Sequence, residues 1–120
     1  MKTVELLDLD CRTEEGKQKL NDAVRRIGNL KNIKYPTIED IEDAIGYMCR
    51  KYRIMVQHIC PTYTKGEINI YSASIKTTDS FEWLGNVYGY CLYELMCKTA
   101  IKIYTEIKKG TVNEYENKQQ

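Results

Sequence analysis

The fold of this chain is decided by residues 81–110, which read FEWLGNVYGYCLYELMCKTAIKIYTEIKKG. The first part of this stretch is aromatic and punctuated by glycine, which is typical of a β-strand. The rest places apolar residues at three- and four-residue steps, which predicts a helix with one buried face. Lys108 and Lys109 fall in the last turn, where cations complement the helix dipole, and Gly110 suits the left-handed position that ends a helix.

Two further helices are predicted before this stretch. Thr13, followed by Glu14 and Glu15, is typical of an N-cap with an acidic first turn. Thr37 and Asp40 have the spacing of a capping box, and the apolar residues that follow them lie on one helical stripe.

Between the second and the last helix, the apolar period changes to that of strands. Residues 54–63, 68–77 and 82–88 are predicted to form an antiparallel meander, with a turn at residues 64–67. Pro61 indicates an edge or bulged position, because proline cannot donate to the ladder.

Two details of the strands can be predicted from alternation. The apolar phase slips between Ile70 and Tyr71, which predicts a β-bulge in the second strand. We expect Phe81, Trp83 and Gly85 to share one face of the third strand.

The predicted fold class is therefore α+β: an antiparallel sheet of three strands, or slightly more, with N-terminal and C-terminal helices packed on it. Residues 1–110 are expected to form one ligand-binding domain, with residues 3–7 as an edge strand or an arm. The tail at residues 111–120 is polar and is expected to be disordered.

Composition excludes several classes of protein. The formal net charge is +1, so no global field favours nucleic acid or a membrane surface. No apolar run reaches the ~20 residues of a membrane span, and we expect a soluble, cytoplasmic protein. The five cysteines are odd in number and lack C-x₂-C spacing, which favours reduced thiols over a metal centre.

Catalytic motifs are missing from the sequence. His58 is the only histidine, and nothing near it orients a Cys60–His58 pair as nucleophile and base. Gly85 and Gly89 do not match a phosphate-binding glycine loop. We therefore predict neither enzymatic activity nor a cofactor.

Ligand binding has more support than catalysis. Aromatic rings surround Asn86, whose amide can read a base edge, and basic residues occur on the first and last helices. Rings with cations suit a phosphorylated ligand that carries a base. The alternative is that the rings are core or oligomer contacts and the cations a solvated face. The candidate ligand-binding residues are Phe81, Trp83, Asn86, Tyr88, Arg25, Arg26, Lys98, Lys102, Lys108 and Lys109.

Several segments resemble a family of small phage proteins of the ABA-sandwich type, the first class of Thoeris anti-defence proteins. The similar segments are Asp8-Leu-Asp-Cys-Arg-Thr-Glu-Glu-Gly-Lys17, Met48-Cys-Arg-Lys-Tyr-Arg53, Tyr71-Ser-Ala-Ser-Ile75, Glu82-Trp-Leu-Gly85, Val87-Tyr-Gly89 and Lys98-Thr-Ala-Ile-Lys102. The likeness covers most of residues 3–110.

The resemblance implies a non-enzymatic sponge in the cytoplasm of an infected bacterial host. Such proteins bind cyclic ADP-ribose isomers made by TIR-domain enzymes, and some bind cyclic oligonucleotides. The ligand lies intact between subunits of a homo-oligomer, which the resemblance implies is a hexamer. Where the family leads one to expect an arginine near the end of the last helix, this chain has Lys108 and Lys109, which contact phosphate without a bidentate fork.

Two other interpretations remain open. The helix–strand–strand–strand–helix order also describes double-stranded-RNA-binding domains, although Tyr90, Cys91 and Leu92 stand where those domains carry lysines. The tyrosine-rich surface also suits a protein–protein inhibitor.

Overall fold

The computed structural model describes residues 9–62 and 70–113 and confirms the predicted α+β fold. Within these two ranges, three α-helices and one 3₁₀ helix accompany three strands. The helices are α1 (Glu14–Val24), the 3₁₀ helix (Gly28–Asn32), α2 (Ile38–Tyr52) and α3 (Leu92–Lys109). The strands are β1 (Ile54–Thr62), β2 (Ile70–Thr77) and β3 (Trp83–Gly89).

The sheet has the order β1-β2-β3, and both strand pairs are antiparallel, as a meander requires. Buried residues alternate along the strands: Ile54, Ala73, Ile75 and Val87 point inward. The helices pack against this inner face, with α3 against β2 and β3 and α2 against β1. The sheet and helices therefore form two layers with one core between them.

The predicted bulge lies on different strands from the one expected. The register of β1 and β2 shifts between Ile59 and Thr62, where β1 carries an extra residue, in keeping with the position of Pro61. A second shift occurs between Trp83 and Gly85 of β3. These residues pair with the adjacent residues Lys76 and Ile75 of β2, so β3 carries an extra residue, Leu84. The prediction of a bulge in β2 was therefore wrong, because the partner strands supply the additional residues.

The helix ends follow the predicted local chemistry. The side chain of Thr13 accepts the Gly16 N–H at 2.9 Å, and Thr37 and Asp40 form both hydrogen bonds of a capping box. Helix α3 ends at Gly110, whose φ of 78° is in the left-handed region. Arg53 ends α2 in the same region at φ 58° without being glycine.

The described structure continues past the predicted end of the domain. Thr111 N–H donates to the carbonyl of Glu106 at 3.1 Å, and Val112 is buried in the main core. Residues 111–113 thus belong to the folded unit rather than to a polar tail. The predictions for residues 3–7, for the turn at residues 64–67 and for residues 114–120 concern residues outside those described.

Candidate functional site

Three of the predicted ligand-binding residues form a connected array on the outer face of β3. Trp83 Nε1 donates to Asn86 Oδ1 at 3.1 Å, and Asn86 Nδ2 donates to the hydroxyl of Tyr88 at 3.4 Å. Trp83 is 61% exposed and Tyr88 is 54% exposed. The aromatic rings therefore lie beside the amide in the way that the sequence suggested.

The bulge in β3 changes which residues accompany Trp83. Trp83, Asn86 and Tyr88 point outward, whereas Gly85, Val87 and Gly89 are buried. The expectation that Trp83 and Gly85 share a face was wrong, since the extra residue at Leu84 reverses the alternation. Phe81 lies before the strand, 67% exposed, with a left-handed φ of 56°.

Lys98 and Lys102 lie on the opposite side of the sheet from this array. Lys98 Nζ is 2.8 Å from Glu94, and the two side chains are almost wholly buried. Lys102 Nζ is 2.9 Å from Glu106, and its stem crosses Gly85, where a Cβ would lie 2.9 Å from Lys102 Cε. The structure thus gives both lysines a role inside the fold, and neither joins the outer aromatic residues as a ligand contact.

The two arginines differ from each other. Arg25 is the C-cap of α1, and its Nε donates to the carbonyl of Ile33 at 2.8 Å, which holds the end of the 3₁₀ helix. Arg26 is exposed. Arg25 therefore stabilises the connection between helices, and Arg26 is the one of the pair whose side chain faces solvent.

One of the two lysines at the end of α3, Lys108, contacts a tyrosine that lines a cavity. Lys108 Nζ is 5.3 Å from the ring centroid of Tyr104, within the range of a cation–π contact. Lys109 Nζ is 3.6 Å from Glu106 and is largely exposed. Tyr104 and Ile107 line a cavity between the 3₁₀ helix, α2 and α3.

This cavity, which we call the helix groove, has a volume of about 540 Å³. Small-molecule sites typically measure roughly 300–1,000 Å³ and are mostly apolar with a few polar groups. Apolar side chains from three helical segments contribute to its lining, namely Ile27, Leu30, Ile33, Ala44, Met48 and Ile107. Rings and polar groups complete it, namely Tyr47, Tyr52, Tyr104, Asn29, Asp40, Asp43 and Lys51.

Two Tyr–Lys pairs, each spaced by four residues, meet at the helix groove. On α2, Lys51 Nζ lies 3.4 Å from the Tyr47 hydroxyl and 5.5 Å from its ring centroid. On α3, Lys108 Nζ lies 5.3 Å from the ring centroid of Tyr104; Tyr104 lines the groove, whereas Lys108 contacts it only through this ring. Each pair offers a ring face for stacking with an ammonium next to it, which suits a base joined to a phosphate.

The carboxylates of the groove offer acceptors. Asp43 is exposed on the second turn of α2, and Asp40 accepts the Thr37 N–H through one oxygen. Carboxylates at a cavity can take hydrogen bonds from the amino group of a base or from ribose hydroxyls. The groove therefore combines stacking faces, cations and acceptors around an apolar surface.

Sequence reasoning missed Tyr47, Tyr104 and Lys51. A usable signal existed, because i,i+4 spacing places two side chains on one helical face, and both helices carry Tyr and Lys at that spacing. The contact between the two helices, which brings the pairs to one cavity, is a tertiary fact that spacing does not reveal.

The described residues contain neither a metal-binding cluster nor a membrane-spanning helix. Across residues 9–62 and 70–113, no group of three or more His, Cys, Asp or Glu residues is arranged to hold a metal ion. No helix within those ranges is long and apolar enough to cross a membrane. The side chains of His58 and Cys60 fall outside the described part of the chain.

Comparison with protein-family models, with curated proteins and with solved structures gave no match to this chain.

Proposed function

We propose that this protein is a non-enzymatic sponge that binds and sequesters a cyclic ADP-ribose-type signalling molecule. The observation that carries the proposal is that Tyr47, Lys51 and Tyr104 line one cavity of about 540 Å³, with Lys108 against the ring of Tyr104. A cyclic dinucleotide or a larger cyclic oligonucleotide offers the same base and phosphate chemistry and is a second ligand class for the groove.

Each part of such a ligand has a counterpart in the helix groove. The base stacks on the ring of Tyr104 or Tyr47, which is worth roughly 1–3 kcal/mol per base in single-strand binders. The phosphates accept hydrogen bonds from the ammonium groups of Lys51 and Lys108. Such charge-assisted hydrogen bonds contribute about 1.5–3 kcal/mol each. The carboxylate of Asp43 accepts from the amino edge of the base or from ribose.

The resemblance to Thoeris anti-defence proteins supplies the biological part of the proposal. In this proposal the chain is a phage product in the cytoplasm of an infected bacterium, and it assembles as a homo-oligomer, a hexamer. The exposed cations Arg26 and Lys109 are then available to a ligand held between subunits. The protein holds the signal intact and prevents it from activating its effector.

The double-stranded-RNA interpretation has less support. The order α2-β1-β2-β3-α3 matches it, but the first turns of α3 present Leu92 and Tyr93, and the ammonium of Lys98 is paired with Glu94 in the interior. Duplex RNA binding relies on cations that reach phosphates. Duplex RNA nevertheless belongs in the test.

The test is isothermal titration calorimetry against cyclic ADP-ribose isomers, cyclic dinucleotides and duplex RNA. We expect saturable binding of a cyclic nucleotide that weakens as salt increases, because phosphate contacts are screened. Ligand released by heating should have an unchanged mass and should still activate its effector. Conversion of the ligand to a new product would identify an enzyme, and binding of duplex RNA alone would replace the proposal.

A further inference from the structure

The outer face of the sheet has no covering element among the described residues. All three α-helices and the 3₁₀ helix belong to the other layer, on the side of Ile54, Ala73, Ile75 and Val87. The register places the outward residues in cross-strand rows, which are Met55–Lys76–Trp83, Gln57–Ser74–Asn86 and Ser72–Tyr88. We call these eight residues the outer face.

The outer face has few charged residues and several side chains that can hydrogen-bond to an identical side chain. Lys76 is the only charged residue of the eight. The accessible polar members are Ser74, two amides and a tyrosine, whose side chains both donate and accept hydrogen bonds, while Ser72 is buried. Aromatic residues and methionine with few charges are the composition of a protein interface core.

The large side chains of this face are already held in place. The indole of Trp83 is bonded to Asn86, and Asn86 is bonded to Tyr88. Side chains that are ordered before contact lose less conformational entropy when a partner binds. Trp and Tyr are also the residue types that most often carry binding energy at interfaces.

We propose that the outer face is the contact between two copies of this chain related by a twofold axis. A twofold interface sets a patch against itself, so the patch must be self-complementary. Groups that both donate and accept meet this requirement, and the lack of charge avoids like-charge contacts. The one ammonium here, that of Lys76, is not accompanied by a carboxylate or by a second cation among these eight residues.

The two exposed aromatic side chains provide about a third of the area of a standard interface. A fully covered aromatic side chain buries roughly 150–250 Å², so Trp83 and Tyr88 supply roughly 250 Å² of the ~800 Å² per partner of a standard interface. The other outer positions and the neighbouring Phe81 turn extend the patch. The inference concerns only the assembly part of the proposed function and does not depend on which ligand occupies the groove.

The single tryptophan of the chain makes the test direct, because it lies on this face. Sedimentation velocity and Trp83 fluorescence are measured on the unmodified protein from roughly 1 to 100 µM, the range expected for a modest interface. We expect the mass to rise to two chains or an even multiple while acrylamide quenching falls. A single chain throughout, or assembly without any change in quenching, overturns the proposal.

A charge pair at the centre of the face provides a second test. Ser74 lies on the central strand in the middle row, so a twofold axis through the face brings it near its own copy. Ser74→Asp and Ser74→Lys should each weaken association at least tenfold, and their equimolar mixture should restore it. Asn32→Asp, an exposed change in the helical layer, is the control.

These outcomes separate the interface from the ligand site. If each Ser74 variant associates as the unmodified protein does, the outer face is not the contact. If either variant fails to fold, the fluorescence series on the unmodified protein decides. Calorimetry on Ser74→Asp reports the groove independently, so loss of association with retained ligand binding supports both proposals.

Discussion

Lys98 and Glu94 form an ion pair that is closed off from solvent: Nζ lies 2.8 Å from the carboxylate, and the side chains are 7% and 1% exposed. The same carboxylate accepts the Cys11 N–H at 2.7 Å and the Tyr90 N–H at 3.3 Å. Glu94 therefore joins the segment before α1, the β3–α3 connection and α3 itself.

Removing one partner of this pair should be strongly destabilising. We expect Glu94→Ala to lower the free energy of unfolding by about 3–5 kcal/mol, because an ammonium and two N–H groups lose their acceptor in the interior. Glu15→Ala, which breaks an exposed pair with Lys19, should change it by less than about 1 kcal/mol. Urea denaturation measures both, and equal effects would contradict the structural role of Glu94.

The helix groove predicts a matched set of binding variants. Tyr104→Leu should weaken binding of the cyclic nucleotide by roughly tenfold, since one stacking face is worth about 1.4 kcal/mol or more. Lys108→Ala should weaken binding similarly and should reduce its salt dependence.

The chain provides a control for these variants. Lys34 Nζ lies 5.4 Å from the ring centroid of the exposed Tyr35, and Tyr35 does not line the groove, whereas Tyr104, the partner of Lys108, does. Calorimetry on Tyr35→Leu and Lys34→Ala should give the affinity of the unmodified protein. If the groove variants also bind normally, the ligand site lies elsewhere.

Acid should destabilise the fold through Glu106. Burial alone would raise the pKa of this carboxyl, but hydrogen bonds from Lys102 and Thr111 and the charges of Lys102 and Lys109 outweigh burial, so the pKa lies below its ordinary value. A pKa that is lower in the folded protein gives stability that is present above about pH 4.3, the unfolded value, and is lost as the pH falls through the folded value. Thermal melts between roughly pH 7 and 2 should therefore show a shallower acid slope for Glu106→Gln. An unchanged slope would mean that other carboxyls dominate.

Three thiols should resist alkylation in the native protein. Burial raises the pKa of Cys97 to about 12 and that of Cys49 to about 11. Burial, followed by a hydrogen bond with Cys91, raises the pKa of Cys11 to about 12. Because the thiolate is the reactive form, iodoacetamide at about pH 8 should leave these residues unmodified until urea is added. Peptide mass spectrometry reads each site, and early labelling of Cys97 would contradict its burial.

A glycine substitution tests how β3 and α3 fit together. Gly85 has a φ of 147°, and an added Cβ would lie 2.9 Å from Lys102 Cε. Gly85→Ala should lower stability by about 1–3 kcal/mol, because the backbone is strained and the lysine must move from Glu106. Gly46→Ala in α2, where the nearest atom is the flexible end of Arg50, should instead stabilise by about 0.5–1 kcal/mol. Similar effects at both positions would contradict this packing.

The fold could be predicted from the sequence because its signals are local. Thr13, Thr37 and Gly110 mark helix ends through their own side chain or backbone chemistry, and alternation marks the strands. The bulge in β3 could not be predicted, since it depends on how Trp83 and Leu84 pair with β2.

The candidate site was only partly accessible to the same reasoning. Asn86 and its aromatic neighbours are close in the chain, so their proximity in space could be predicted. The i,i+4 spacing of Glu94 and Lys98 permits an ion pair, but its burial could not be predicted, because the side of α3 that faces the sheet is set by packing. The groove arises where α2 meets α3, and the sequence of neither helix alone predicts that contact.

The extra residue of β3 determines which positions of the strand face outward. Before Leu84 the outward position is odd-numbered, Trp83, and after Leu84 the outward positions are even-numbered, Asn86 and Tyr88. Deleting Leu84 would remove the bulge and make Trp83 the direct neighbour of Gly85, so regular alternation would keep Trp83 on the face of Asn86 and Tyr88. A homologue that lacks this residue would therefore keep its aromatic side chain on the outer face. An ungapped alignment would nevertheless pair its core positions on one side of the gap with surface positions of this chain.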